Sequence, residues 1–348
     1  MKSILTGLVV FLGLQCALGR GAAAQTSPIC ITWVNCGWIS FSSGCQPPVP
    51  AGATNCSVEG PWSLNCEVVS DNCGVPLVWC PTCGKYVAAA ASPINLTNGN
   101  TYIQETDLKI PGLGNSLTLT RTWNSIWPAS ESAFQSGMFG LNWRSSYEER
   151  VFQGSGNAVN YMAYLRADGG LWYFGPNNGS TWPLAAPANT PAALTQNGTQ
   201  SWTITFQNGE QRVFNYTSGS LTALIDRNGN TTQLSYDSIN RLVTVTDPAS
   251  RHLYFAYGNN SSLLVTNVTS DIGVSLSYSY DTQGRLILAT EPDLSTFSFQ
   301  YNSQSLISAV TDSNGIILES HTYDGSGRGL TSSQANGVNG VTISYANQ

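Results

Sequence analysis

The chain has 348 residues, only 10% of them charged, against roughly 25% in an ordinary soluble domain; its polar surface must come from Ser, Thr, Asn, Gln and Gly. The formal net charge is −6, about −8 without Lys2 and Arg20, and after residue 2 the only lysines are Lys85 and Lys109. An acidic chain this poor in lysine offers phosphates no patch, so nucleic acid is excluded as an expected partner.

Residues 1–24 read as a secretory signal peptide. Lys2 is the basic tip, an apolar run follows from Ile4 to Leu18, and Ala22-Ala23-Ala24 supplies small residues for cleavage. The run is too short for a membrane helix, and no later stretch reaches the roughly 20 apolar residues of a span. The expected location is extracellular or at the cell surface, by bacterial export.

Residues 25–86 hold Cys30, Cys36, Cys45, Cys56, Cys66, Cys73, Cys80 and Cys83, and no cysteine follows them. An even set in a short exported segment points to a disulfide-stapled domain, which a core this small needs. Its connectivity stays open. The C-x2-C pair at 80–83 has zinc-knuckle spacing, but it lacks a second pair or a nearby His. Neither a metal nor a cofactor is expected. Residues 87–93, "VAAAASP", read as a linker.

Beyond the linker the pattern is β throughout. Residues 94–215 form an expected β-rich domain. In it Leu117, Leu119, Arg121 and Trp123 alternate with small polar residues, the period-2 mark of a half-buried strand. Residues 201–216 read as a hairpin, with Trp202, Ile204 and Phe206 on one face and Asn208-Gly209 supplying positive φ angles at the turn. The Pro/Ala-rich stretch 182–198 reads as a loop.

From 216 to 348 the phrase Tyr-Asp, two variable residues, Asn or Gly, Arg recurs: Tyr236-Asp237 with Asn240 and Arg241, Tyr280-Asp281 with Gly284 and Arg285, Tyr323-Asp324 with Gly327 and Arg328. Turn signals recur every ten to thirteen residues, the length of one strand plus one turn. Asp first and Asn or Gly fourth suit a type I turn closed by a left-handed residue. Asp accepts the turn's own amides, and Gly or Asn tolerates positive φ. Alternation puts Val274, Leu276, Tyr278 and Tyr280 on one face and three serines on the other. The repeated Asp and Gly are thus expected to be turn geometry and the Tyr and Leu sheet facing.

On these residues the sequence resembles the RHS/YD-repeat family, named for such Tyr-Asp pairs. The stretches "SPINLTNGNTYIQETDLKIPGLGNSLTLTRTWNS" at 92–125 and "GLNWRSSYE" at 140–148 are similar to the domain of unknown function that precedes the repeats in RHS proteins. The resemblance covers about residues 92–345. It implies an all-β chain: an antiparallel β-hairpin repeat sheet preceded by a β-rich domain, with the Cys-rich domain outside the match. In the family the sheet closes into a hollow shell, often around a C-terminal toxin released by a self-cutting segment. This chain departs from that pattern: about five to six repeats are too few to close a shell, and neither a toxin domain nor a self-cleavage segment is recognisable. The resemblance therefore lends a fold and no catalytic residue.

Catalytic constellations are sparse. His252 and His321, the only histidines, fall inside strand patterns, and no Gly-x-Ser-x-Gly, paired-His or P-loop motif occurs. Glu148-Glu149 and Glu105/Asp107 are acid pairs without a companion base. The leading expectation is a non-enzymatic scaffold that meets a protein partner, or itself, through open sheet edges. Two alternatives are the N-terminal part of a toxin-delivery shell and a module whose Trp and Tyr rings bind a cell-surface glycan.

Overall fold

The computed structural model describes residues 94–154, 160–187 and 191–345, together with the backbone of strands Ile39–Ser40, Ala53–Val58, Ser63–Val68 and Ala89–Ala90. It divides into two units, Met1–Val75 and Pro76–Gln348. In the first, Ser63–Val68 lies between Ile39–Ser40 and Ala53–Val58 in an antiparallel sheet. The expected signal peptide and the cysteine side chains lie outside the described residues.

The second unit is nearly all β. Helix among the described residues is confined to 3-10 turns at Ala129–Phe134 and Ala335–Gly337. Among the described residues no helix is long and apolar enough to cross a membrane. Its main element, the wall, is a 19-stranded antiparallel sheet running from Arg150–Gln153 to Val341–Thr342 with every strand beside its sequence neighbours. Alternation sets its faces: Leu276, Tyr278 and Val268 are buried while Ser275 and Ser279 are exposed.

The stretch 182–198 is not a loop. Thr181–Ala186 and Ala192–Asn197 are paired strands of the wall, because Trp182 and Leu194 pack into the core and tertiary burial overrides the Pro/Ala composition. Within 87–93, Ala89–Ala90 pairs with Ile94–Asn95. In the 201–216 hairpin only Gly209 has positive φ, 86°, and Asn208 instead accepts the Glu210 amide. A type I turn with one left-handed residue thus replaces the two-residue positive-φ turn.

Against the apolar face of the wall lies a second, three-stranded sheet made of Tyr102–Ile110, Leu117–Asn124 and Trp143–Ser145. Aromatic residues in and beside its strands step across alternate wall strands. Ring pairs join Tyr147 to Phe255, Phe139 to Tyr278, Trp143 to Phe299 and Trp123 to Tyr323. Alternate strands lie roughly 10 Å apart, so this small sheet braces four repeats at once. Gly140 crosses so close to the repeat turn that an added Cβ would come within 2.5 Å of the Gly284 carbonyl.

The wall's first strand is covered in part by the wall itself. Val151 donates its amide to Gly219 O at 3.0 Å, and Arg150 pairs with Ser220. Gly219 has φ 68°, and a Cβ there would collide with the Val151 carbonyl, so glycine alone permits the contact.

Candidate functional site

The repeated phrase builds one device several times over. In the first copy Asp237 accepts the amides of Ile239 and Arg241 at 3.1 and 2.9 Å and the Arg241 Nε at 2.7 Å. Asp281 accepts the same set from Gln283 and Arg285, and Asp324 from Ser326 and Arg328. The fourth residues take positive φ: Asn240 64°, Gly284 75° and Gly327 79°. The Arg241 amide chiefly holds the Asp237 carboxyl below its usual range. At Asp281 and Asp324 partial burial pushes the carboxyl up, and hydrogen bonds from Arg285 and Arg328 outweigh it.

Each arginine then reaches into the next repeat. Arg241 donates to the carbonyls of Asn259 and Ser262 in the following turn, and Arg285 to Ser305 Oγ. Their guanidinium groups lie 4.6 Å from the Tyr257 ring centre and 4.9 Å from that of Tyr301, and Arg328 lies 4.2 Å from Tyr345. Those tyrosines donate back across the sheet: Tyr257 to Leu242 O at 2.8 Å, Tyr301 to Leu286 O at 2.7 Å and Tyr345 to Gly329 O at 2.8 Å. Tyr236, Tyr280 and Tyr323 do the same to Leu221, Val265 and Ile307. A register shift precedes Tyr236, Tyr257, Tyr280, Tyr301 and Tyr323, where a bulge re-aims the ring toward the preceding strand pair. Asp, Arg and Tyr therefore form a clasp between successive repeats. The turn is legible in the sequence; the clasp is signalled there only by the 16-residue interval from Arg241 to Tyr257 and from Arg285 to Tyr301.

The seam between the small sheet and the wall centres on Arg121, fully buried. Its Nε and Nη2 both donate to Asp107, which also accepts the Tyr278 hydroxyl at 2.6 Å. The guanidinium lies 4.8 Å from the Trp143 ring centre and 5.3 Å from that of Tyr278. Burial disfavours its charge, and the attraction of Asp107 more than outweighs that cost. Beside this knot Glu105 and Glu291 line a recess of about 350 Å³ with Asp293. Burial pushes both glutamates up to about 7, helped at Glu291 by repulsion from Asp107 and Glu105.

A larger cleft, about 760 Å³, opens where the small sheet meets the wall's first strands. Tyr102, Gln104 and Thr122 form one side, and Phe206, Asn208 and Glu210 the other. On its floor the Tyr164 hydroxyl donates to Glu149 at 2.6 Å, and Arg212 sits 3.4 Å from Glu149 and 3.7 Å from Glu210. Arg166 pairs with Asp168 at 3.1 Å while lying over the Trp172 ring. Burial raises the Glu149 carboxyl, against the pull of Arg212 and Tyr164. Glu149 therefore lies in this floor, whereas Glu148 accepts the Met138 amide at 2.6 Å.

The histidines stand apart from both pockets. His252 lies 2.9 Å from Asp271 and stacks on Tyr254, while buried His321 lies 3.3 Å from Glu319. Among the described residues no group of three His, Cys, Asp or Glu side chains is placed to hold a metal.

Comparison with known proteins finds two families in succession. The family described as Domain of unknown function (DUF6531) matches residues 91–174, and the family described as Teneurin YD-shell matches residues 195–347. Among curated proteins, the tRNA nuclease WapA of Bacillus subtilis strain 168 is 27% identical over 149 residues, 43% of this chain and 6% of that protein. The tRNA(Glu)-specific nuclease WapA of Bacillus subtilis subsp. natto matches to the same extent. The chain thus spans about 6% of the length of these curated relatives. Among solved structures, the TcdB2-TccC3-TEV crystal structure is similar at 12% identity and TM-score 0.27, over 67% of this chain and 15% of that one. The Photorhabdus luminescens Tc holotoxin pore is similar at 12% identity and TM-score 0.27, over 67% of this chain and 14% of that one.

Proposed function

The chain belongs to the RHS/YD-repeat proteins, and from that premise we propose that it is a secreted or surface-held wall module whose work is structural. The observation that carries this reading is the clasp. Asp237, Arg241, Tyr257 and their counterparts are consumed in binding one repeat to the next, so the signature residues have no free group left for chemistry. The partner we propose is protein, a second copy or a longer RHS chain, meeting the strand edge at Val341–Thr342, which no described strand covers on its outer side, since an uncovered edge is a template for pairing. The domain division we propose is a leader over 1–24, a disulfide-stapled domain over 25–86, a linker over 87–93, the small sheet and first wall strands over 94–215, and the repeats over 216–348.

The test is the intact mass of the protein as the producing cell releases it. A mass matching residues 25–348, lowered by about two daltons per bridge, supports a free-standing exported module. A second reading, the front of a toxin-delivery shell, is favoured by relatives far longer than this chain; a much larger released mass would support it. The nuclease activity in those relatives' names is not extended to this chain.

A further inference from the structure

We propose that one rim of the wall is a docking surface for a basic amphipathic α-helix of a partner protein. The turns at 270–274, 291–295, 312–316 and 334–338 are every second connection between successive wall strands, so all four lie along the same rim. Each holds out one large apolar side chain: Ile272, Leu294, Ile316 and Val338 are 48% to 80% exposed. The loop 111–116 lies over the two preceding turns of that rim, Gly112 against Arg251 and Gly114 against Asn230 and Pro248, and leaves Leu113 63% exposed. Single exposed apolar residues are ordinary, but a row of them along one rim at one interval marks an interaction surface. Across the same strands the opposite rim presents Gln283, Gln304 and Ser326 instead. Leu294 also holds φ 70°, and strain that returns nothing to the fold points to a role outside it.

The spacing selects the partner's secondary structure. Turns on one rim are two strand spacings apart, roughly 10 Å. A helix repeats a face every seven residues, about 10.5 Å, so apolar residues at that interval meet successive turns. An extended strand repeats a face at roughly 6.7 and 13 Å and falls out of step. Charge selects the partner's sign. The four turns carry Asp271, Glu291, Asp293 and Asp312 and neither lysine nor arginine. His252 pairs with Asp271, while Arg285 and Arg328 are clasped to Asp281 and Asp324 at the opposite rim. Lysines flanking the apolar residues of a helix would complement that field. The rim crosses the strand ends rather than following the edge strand Val341–Thr342, so the proposal goes beyond edge pairing and does not depend on it.

The probe is a fluorescein-labelled alanine-based peptide of about 24 residues, long enough as a helix to reach all four turns. Leucine stands at every seventh position with lysine on either side, and the peptide is titrated with the full chain by fluorescence anisotropy. It should bind with a dissociation constant of about 100 μM or tighter. Moving the leucines to every fifth position, which scatters them around the helix, or replacing lysine by glutamate should weaken binding at least about tenfold. Leu294→Asn, which relieves the strained φ, should also weaken it about tenfold. Ile239→Ser, at an exposed turn of the opposite rim, should leave it unchanged. Unchanged far-ultraviolet circular dichroism establishes that each variant is folded; if Leu294→Asn is not, Ile316→Ser takes its place. No binding, equal binding of the out-of-step or acidic peptide, or equal affinity in the Leu294 variant overturns the proposal. So does a dimer of the chain in sedimentation that Leu294→Asn dissolves while the peptide stays unbound, because the rim would then take a second copy.

Discussion

Leu294 is 80% exposed and holds φ 70°, a left-handed conformation that costs a residue with a bulky Cβ substituent about 1–2 kcal/mol. Nothing is gained from its side chain in return. Leu294→Asn should therefore raise the unfolding free energy by about 1 kcal/mol, read from urea denaturation, because Asn accepts positive φ at lower cost. The clasp residues predict the opposite sign. Tyr301→Phe removes the bond to Leu286 O, a loss of about 1 kcal/mol. Arg285→Lys keeps the charge but not the planar group stacked on that ring. If the two side chains form one clasp, a double-mutant cycle will show them coupled by at least about 0.5 kcal/mol; strictly additive losses would separate them. The turn half of this device could be read directly, since Asp237 and Asn240 act within four residues of chain. The Arg-to-Tyr half could not, because strand alternation says which face Tyr301 takes but not that a bulge turns its hydroxyl toward Leu286.

Between elements, the small sheet is fastened to the wall by groups whose partners lie far away in sequence. Asp107 and Tyr278 are 171 residues apart, and no local pattern in the sequence announces such a pair. Arg121 was legible as an inward-facing residue of its strand, but its ion pair and the aromatic rings around it were not. Removing one partner of a buried pair leaves the other charge stranded, so Asp107→Asn should cost about 3–5 kcal/mol, measured by denaturation. Asp107→Leu combined with Arg121→Met should recover much of that loss, because an apolar replacement strands nothing. The neighbouring glutamates give the seam a pH dependence. Glu105 and Glu291, pushed up to about 7 by burial, bind protons more readily folded than unfolded. Their contribution is thus full below about pH 4.3, the unfolded value, and is lost as pH rises through about 7. The turn carboxylates act the other way: Asp237, Asp281 and Asp324 are held low, so their stabilisation is present above about pH 4 and lost below it. Stability should peak near pH 4–5 and decline toward pH 8. Glu105→Gln together with Glu291→Gln should flatten that decline and raise Tm at pH 8 by roughly 2–4 °C, the shift of about 1 kcal/mol in a domain of this size. A decline as steep in the double variant as in the parent would remove these groups as its cause.

Across the whole molecule, two kinds of connection compete to set how the wall comes apart. The clasps join only neighbouring repeats, from Tyr236 to Tyr345. A chain held by them alone would behave as a one-dimensional array, unfolding inward from its ends. The small sheet breaks that independence, because Tyr147, Phe139, Trp143 and Trp123 pack on Phe255, Tyr278, Phe299 and Tyr323. Any of those strands can leave only by giving up part of a core shared with the others. Strand Val341–Thr342 has no such brace among the described residues: it pairs with Thr331 and Ser332, and no other described strand pairs with it. Native-state hydrogen exchange should therefore show two classes. Amides of 329–342 should exchange by local opening, with small free energies. Those of His252–Tyr257, Ser275–Tyr280 and Thr296–Tyr301 should exchange only through much costlier, sub-global openings. Trp143→Ala, which empties the contact with Phe299, should lower the protection of Thr296–Tyr301 more than that of His252–Tyr257. Equal loss in both would mean that the small sheet and wall unfold as one block with no hierarchy among the repeats. Loss confined to Thr296–Tyr301 would mean that each ring contact secures its own strand, and the brace would then act as four separate fastenings.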